Sequence, residues 1–124
     1  MAEGVPVFVQ AKEDNHFKVT VEQLEAARTD KTKVLVLNSP SNPTGMIYSR
    51  EELLAIGNWA VAHDVLILAD DIYGRLVYNG NEFVPISSLS EAIRKQTIVI
   101  NGVSKAYAMT GWRVGYAVGN PEII

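Results

Sequence analysis

The feature that most constrains the fold of this chain is a set of short, nearly continuous apolar runs separated by segments with helical patterns. Because Val, Ile and Leu in these runs do not alternate with polar residues, the runs are typical of strands buried on both faces, as in a parallel sheet covered by helices. The runs are residues 5–9, 34–37, 65–69 and 98–100. A further strand is predicted between two glycines, at residues 112–118.

Three capping-box sequences mark helix starts among those strands, since a serine or threonine precedes a glutamine or glutamate by three residues. The predicted helices start at Thr20, Ser49 and Ser88 and extend to about Arg28, His63 and Lys95, respectively. Strands that alternate with helices imply right-handed crossovers. The predicted fold class is therefore α/β, with three α/β/α layers and a mostly parallel sheet.

The composition argues against several classes of function. The 124 residues suffice for one domain with a core, and the net charge of −3 offers no basic surface for nucleic acid. The absence of cysteine excludes disulfides and thiolate metal sites and fits a reducing, cytoplasmic compartment. All apolar runs are shorter than the roughly 18 residues of a membrane span, so we expect no membrane partner. His16 and His63 lack the spacing of metal ligands.

The ends of the sequence predict a segment of a longer protein. The apolar run at residues 5–9 has almost nothing before it, and residues 121–124 have the pattern of a first helical turn, with proline at an allowed early position. We therefore expect further parts of the domain on both sides, so that the isolated chain would expose interface surface.

Three polar loops directly follow three of the predicted strands. They are residues 38–45, 70–73 and 101–113. In open parallel sheets, ligands bind beyond the carboxyl ends of the strands, so we expect these loops to meet at one edge and form the site. The sequence has no phosphate-binding loop, dinucleotide fingerprint or nucleophile elbow.

Asp70 and Lys105 are the charged residues of this edge with the clearest chemical use. A carboxylate at the end of a buried strand must be paired, so Asp70 caps a helix, joins an ion pair or holds a cationic ligand nitrogen. Asp71 is expected to point to the other side of the chain. Lys105 lies in a loop with glycines near both ends, and is either a solvated surface lysine or an amine placed for a Schiff base.

The remaining candidates supply hydrogen-bond donors. Ser104 and Arg113 suit a phosphate group, because a hydroxyl and a planar guanidinium give charge-assisted hydrogen bonds. A turn serine and a surface arginine are the alternatives. Tyr73 and Asn42 could each donate to a ligand oxygen, although Tyr73 alone also suits a core position with its hydroxyl at the rim.

Together, the three loops resemble the class I and II aminotransferases of the aspartate aminotransferase type, which are fold type I enzymes using pyridoxal 5′-phosphate. The matching stretches are 38–45 (Asn-Ser-Pro-Ser-Asn-Pro-Thr-Gly), 70–73 (Asp-Asp-Ile-Tyr) and 104–113 (Ser-Lys-Ala-Tyr-Ala-Met-Thr-Gly-Trp-Arg). Asp71 departs from the family, which usually has glutamate there. The resemblance implies that residues 1–124 are the central segment of the cofactor-binding large domain, without the N-terminal part and the C-terminal small domain.

The resemblance implies a role for each candidate at the cofactor ring. Lys105 would form the Schiff base and then move the proton between the substrate Cα and the cofactor's C4′. Asp70 would pair with the pyridine nitrogen and keep it protonated. Tyr73 and Asn42 would hydrogen-bond the 3′ oxygen of the ring.

The resemblance further implies that Ser104 and Arg113 hold the phosphate. It also implies that residues 112–118 are the one antiparallel strand of the sheet and that the peptide bond between Asn42 and Pro43 is cis.

The implied activity is the transfer of an amino group between an α-amino acid and a 2-oxo acid, in a homodimer whose partner subunit completes the pocket. The family's arginine for the substrate carboxylate lies outside this sequence, so we expect the isolated chain to transaminate negligibly. The same cofactor residues would serve a carbon–sulfur lyase or an aminocyclopropane-carboxylate synthase. A third alternative is the aminotransferase-like effector domain of a transcription regulator, which would bind the cofactor without turnover.

Overall fold

The computed structural model describes residues 3–124, in which four strands form one sheet in the order β1-β2-β3-β4. The strands are β1 (Val34–Asn38), β2 (Leu66–Asp70), β3 (Thr97–Gly102) and β4 (Gly115–Val118). β1, β2 and β3 run parallel to one another, and β4 pairs antiparallel with β3. The predicted α/β class and mostly parallel sheet are confirmed, as is the antiparallel pairing of the last strand.

In the described residues, one α-helix precedes each of the three parallel strands. The helices are α1 (Val21–Ala27), α2 (Arg50–Ala62) and α3 (Glu91–Lys95), and short 3₁₀ turns span Glu13–Asn15, Ile86–Ser88 and Thr110–Trp112. Within residues 3–124, none of these helices combines the length and the apolar content needed to cross a membrane.

Two of the predicted capping boxes are fully formed. The Thr20 hydroxyl accepts a hydrogen bond from the Gln23 backbone N–H, and the Gln23 side chain accepts one from the Thr20 backbone. Ser49 and Glu52 make the same reciprocal pair at the start of α2. Each box satisfies N–H groups that have no acceptor within their own helix, which explains why α1 and α2 begin where the sequence predicts.

The third predicted box is wrong in its capping residue. The serine that caps α3 is Ser90, whose hydroxyl accepts from the Ile93 backbone N–H at 3.2 Å. Ser88 lies in the preceding 3₁₀ turn, where its hydroxyl donates to the carbonyl oxygen of Pro85 at 2.7 Å. Because Ser88 is engaged with that turn, the helix begins two residues later and still reaches Lys95, as predicted.

The hydrophobic core lies between the helices and one face of the sheet. Residues paired in register point to the same face, so Leu37 and Ala69 share their face with Val99. The buried residues of this core are Leu24, Leu37, Tyr48, Leu53, Ile56, Trp59, Ala60, Val65, Ile67, Ala69, Val84, Ile86 and Ile93. On the opposite face, Val36 is 66% exposed. The described helices therefore make up one of the two helical layers expected for the fold.

Two predicted strands differ from the structure. Residues 5–9 form no strand, and Val5 and Phe8 are each 87% exposed, because none of the four strands pairs with this run in the described residues. The run predicted at 112–118 begins as a strand only at Gly115. Before it, Trp112 ends a 3₁₀ turn and Arg113 takes a left-handed conformation (φ 53°), which an extended strand cannot accommodate.

Candidate functional site

The loops after β1 and β2 meet at the carboxyl edge of the sheet, as predicted, and Asn38 joins them. Its side-chain N–H donates to the Asp70 carbonyl oxygen at 3.0 Å, and its side-chain oxygen accepts from the Asn42 backbone N–H at 3.1 Å. Asn38 thereby fixes the start of the Asn42 loop against the end of β2. Asn38 was not among the predicted site residues, although its position as the last residue of β1 was a usable signal.

Asp70 is the last residue of β2, and its carboxyl group accepts one hydrogen bond from the described residues. One oxygen accepts from the Ile72 backbone N–H at 3.1 Å. Within residues 3–124 no other hydrogen bond and no ion pair reaches this carboxyl group. The turn contact is the capping interaction that the sequence allowed, and it engages one of the two carboxyl oxygens.

Asp71 points to the opposite side of the sheet, as predicted. It is 8% exposed and lines a small cavity, of about 10 Å³, with Leu37, Ser39 and Leu53. Burial, with a smaller contribution from the negative charge of Asp70, raises the pKa of Asp71 to about 7. A shared-proton pair of the two carboxyl groups is therefore not formed, because the groups lie on different faces.

Tyr73 brings the three loops together. Its hydroxyl oxygen accepts from the Asn42 side-chain amide at 3.3 Å, and the Lys105 Nζ lies 5.9 Å from the centre of its ring. The peptide bond between Asn42 and Pro43 is cis, as predicted, and the bond between Ser39 and Pro40 is cis as well. The phenol, the amide and the amine are thus neighbours at one edge of the sheet.

Lys105 lies in the loop after β3, three residues beyond the last residue of that strand. A Cβ atom at Gly102 would lie 2.9 Å from the Val114 carbonyl oxygen, so glycine permits β4 to approach closely just before the loop. The loop then turns, with the Tyr107 backbone N–H donating to the Val103 carbonyl oxygen at 3.2 Å. Lys105 is exposed in this turn, so its amine is accessible.

Ser104 and Arg113 are joined through Thr110. The Thr110 hydroxyl donates to the Ser104 carbonyl oxygen at 3.4 Å, and the Arg113 guanidinium donates to the Thr110 carbonyl oxygen at 3.0 Å. In the described residues, no hydrogen bond joins this group to Asp70 or to Tyr73. Thr110 is a second residue to which the sequence analysis gave no role, since a threonine inside a loop carries no distinctive pattern.

A cavity of about 450 Å³ lies near this edge and is lined by none of the six predicted site residues. Its lining includes Asp71, Arg75, Phe83 and Tyr116, and the Arg75 guanidinium lies 5.9 Å from the centre of the Tyr107 ring. Tyr116 is paired with Asn101 and Asp71 follows Ala69 by two residues, which places this cavity on the core face of the sheet. It is therefore separate from the face that carries Asp70.

This chain is similar to known proteins both in sequence and in structure. The chain is 77% identical over its whole length to an asparagine–oxo-acid transaminase of Streptococcus mutans and 53% identical to an aspartate aminotransferase of Bacillus subtilis. In each case it spans 32% of the relative's length. The crystal structure of an aspartate aminotransferase from Rhizobium meliloti superposes on this chain with a TM-score of 0.93 and 44% sequence identity. The superposition covers 98% of this chain and 30% of the Rhizobium chain.

The family model described as aminotransferase class I and II matches residues 1–124. The match includes all three loops and the four strands that carry them. The chain belongs to the class I and II aminotransferase family.

Proposed function

We propose that the protein to which this chain belongs is a pyridoxal-phosphate-dependent aminotransferase, which moves an amino group between an α-amino acid and a 2-oxo acid. The observation that carries the proposal is the convergence on Tyr73: the Asn42 amide contacts its hydroxyl at 3.3 Å and the Lys105 amine lies 5.9 Å from its ring. Family membership supports the reaction class. Neither a carbon–sulfur lyase nor a transcription regulator is favoured by the names of the relatives.

The donors and acceptors of the described residues fit this cofactor. Asp70 has one carboxyl oxygen beyond its bond to Ile72, which suits a protonated pyridine nitrogen. The Tyr73 hydroxyl accepts from Asn42 and keeps its own proton to donate to a phenolate-type oxygen. Arg113 and Ser104 share one loop through Thr110 and supply the cationic and hydroxyl donors that a phosphate needs.

When bound, pyridoxal phosphate supplies an electron sink for the negative charge that develops at the substrate Cα. Lys105 would provide the primary amine that holds the cofactor, and the same amine would be the base that takes and returns the proton at that carbon. Asp70 would hold the ring nitrogen in its charged form, because a nearby carboxylate favours the cation. Tyr73 and Asn42 orient the ring through its oxygen.

The same proposal extends to the parts of the protein that this chain does not include. Residues 1–124 would be the central segment of the cofactor-binding large domain, which agrees with coverage of about a third of each relative. A homodimer and a cytoplasmic location remain predictions of the proposal. Sedimentation of the whole protein tests the dimer, and cell fractionation tests the location.

For the substrate, we propose aspartate or its side-chain amide, asparagine, as the amino donor. The support comes from the relatives, one named asparagine–oxo-acid transaminase at 77% identity and several named aspartate aminotransferase at 50–56%. Coupled assays of the whole protein with each of these amino acids and a 2-oxo acid acceptor distinguish the two. Turnover with neither donor, but with an aromatic or branched one, would reject this substrate class.

The experiment that tests the cofactor is an absorbance titration of the whole protein with pyridoxal phosphate. We expect a band near the edge of the visible range that is lost in Lys105→Ala and retained in Lys95→Ala. Lys95 is a matched control, because it is an exposed lysine that pairs with Glu91 on the surface of α3. Equal bands in the two variants would reject Lys105 as the attachment point.

The isolated chain of 124 residues is expected to transaminate negligibly. Catalysis depends on the position of several groups, and the loss of groups that act together multiplies. Single-turnover absorbance with an amino acid tests this expectation on the chain loaded with cofactor. Rapid conversion at the rate of the whole protein would overturn it.

A further inference from the structure

We propose that Asn79 is a site of spontaneous deamidation in the folded protein, where the chain modifies its own backbone without an enzyme. Asn79 and Gly80 are the central residues of a tight turn, with φ of 58° and 75°. The Asn81 backbone N–H closes the turn on the Tyr78 carbonyl oxygen at 3.2 Å. Positive φ at both central positions is typical of a type I′ turn, which favours this asparagine–glycine pair.

The reaction uses only atoms of the turn and water. The Gly80 backbone nitrogen attacks the Asn79 side-chain carbonyl carbon, so that a nitrogen–carbon bond forms and the bond from that carbon to the amide nitrogen breaks. Ammonia leaves with the proton that the Gly80 N–H gives up, and a five-membered succinimide remains. Water then adds to either ring carbonyl and opens the ring, which yields aspartate or isoaspartate.

The structure leaves Asn79 little protection from this attack. Asn79 and Gly80 are both exposed, and within residues 3–124 neither the Asn79 side chain nor the Gly80 N–H makes a hydrogen bond. A Cβ atom at Gly80 would meet no atom within 4 Å beyond its chain neighbours, so no other part of the described chain packs on this side of the turn. Ring closure requires the turn to open, and in the part of the chain that the structure describes, the hydrogen bonds that close it are the two from Asn81 to Tyr78. Short exposed turns open locally at small cost in free energy.

The chain contains a second asparagine–glycine pair, Asn101 and Gly102, in a setting that opposes the same reaction. Both residues lie in β3, paired with Tyr116 and Gly115 of β4, and Gly102 is buried. The Gly102 N–H donates to the Asn101 side-chain oxygen at 2.7 Å. To close a ring, the backbone would have to rotate out of its extended conformation and break the pairing with β4. That opening costs much more free energy than the opening of a surface turn.

The product changes the segment that connects Tyr73 to Phe83. Aspartate or isoaspartate adds one negative charge to the tip of this segment, and isoaspartate also lengthens the backbone by one carbon. Phe83 packs over Gly74, where a Cβ atom would lie 2.7 Å from its ring, so the segment is anchored at its base. We therefore expect the modification to change the turn and to leave the position of Tyr73 intact.

The test incubates the whole protein in mildly alkaline buffer and follows peptides by mass spectrometry and isoaspartate detection. In the folded protein, Asn79 is expected to react at least about tenfold faster than Asn101. In denaturant the two pairs should react at similar rates, which shows that the fold makes the difference. Asn79→Gln is the control variant, since its longer side chain disfavours the five-membered ring; it should abolish the modification at this turn.

Two results would overturn the proposal. One is equal reaction of Asn79 and Asn101 in the folded protein. The other is an Asn79 that stays intact when folded while both pairs react in denaturant, because the turn would then be as protective as the strand. Neither result depends on cofactor binding, so the outcome is independent of the proposed function.

Discussion

Replacement of Asp71 by asparagine is expected to stabilise the protein in neutral and mildly alkaline solution and to lose this advantage in acid. Asp71 is 8% exposed, and burial together with the nearby charge of Asp70 raises its pKa to about 7. Within residues 3–124 no hydrogen bond or ion pair compensates its carboxylate. Asparagine has nearly the same shape and does not ionise, so the variant removes the charge and little else.

The sign of the effect follows from the two states of the chain. The ordinary pKa of this carboxyl group is 3.8, and in the folded protein the pKa is about 7. Below the lower value both states carry the proton and the group makes no difference. As the pH rises from there through about 7, the unfolded chain gives up its proton first, so stability is lost progressively.

The size of the effect follows from the same shift. A shift of about 3 pKa units corresponds to about 4 kcal/mol of lost stability above pH 7. The buried amide of the variant offsets about 1–3 kcal/mol, because it also lacks hydrogen-bond partners. We therefore expect Asp71→Asn to gain about 1–3 kcal/mol at about pH 8 and to be destabilising by about 0.5–2.5 kcal/mol at about pH 4, where little of the ionisation penalty remains.

Urea unfolding of the whole protein across this pH range measures the difference in midpoint between variant and wild type. Asp30→Asn is the matched control, because Asp30 lies exposed in the turn between α1 and β1. Its difference from wild type should stay small at every pH. A difference for Asp71→Asn that does not change with pH, or that becomes more destabilising as the pH rises, would refute the reasoning.

Two further substitutions test the packing and the site. Gly57→Ala should destabilise the protein by about 1–2 kcal/mol despite the better helix propensity of alanine, because the new Cβ would lie 2.5 Å from the buried Ile93 Cδ1. Adding Ile93→Val, which removes that atom, should recover part of the lost stability, as measured by thermal unfolding. Strictly additive effects of the two substitutions on stability would contradict this account. Tyr73→Phe removes the hydroxyl that accepts from Asn42; kcat/KM should fall about tenfold or more, with the cofactor still bound, and unchanged kinetics would contradict the role of Tyr73.

Much of the fold could be predicted from local sequence patterns. Continuous apolar runs located β1, β2 and β3, and capping boxes located the starts of α1 and α2, because these signals depend on residues within one turn or one strand. The prediction of a strand at residues 5–9 was wrong because strand formation also depends on residues outside the run. A strand needs a neighbour to pair with, and an apolar run carries no information about whether that neighbour lies in the same segment.

The starts of β4 and α3 also could not be predicted from local sequence patterns. Arg113 adopts a left-handed conformation, which no pattern of residue types at 112–118 announces. Ser88 and Ser90 are both suitable caps, and the choice between them depends on a hydrogen bond from Ser88 to the Pro85 carbonyl oxygen. Such choices are set by contacts outside the motif itself.

The candidate site was predicted at the level of loops and only partly at the level of contacts. The carboxyl ends of parallel strands meet at one edge, so the proximity of Asn42 to Tyr73 follows from topology. The linking roles of Asn38 and Thr110 do not, because they depend on which backbone groups face each side chain. The opposite directions of Asp70 and Asp71 follow from the alternation of a strand and were predicted.

The central claim is that one lysine amine, beside Tyr73 and the end of β2, attaches pyridoxal phosphate. Borohydride reduction of the whole protein with the bound cofactor, followed by peptide mapping, tests it most directly, since reduction makes the attachment permanent. The account predicts that the pyridoxyl group is found on Lys105. A label on a different lysine, or equal labelling after Lys105→Ala, would contradict it.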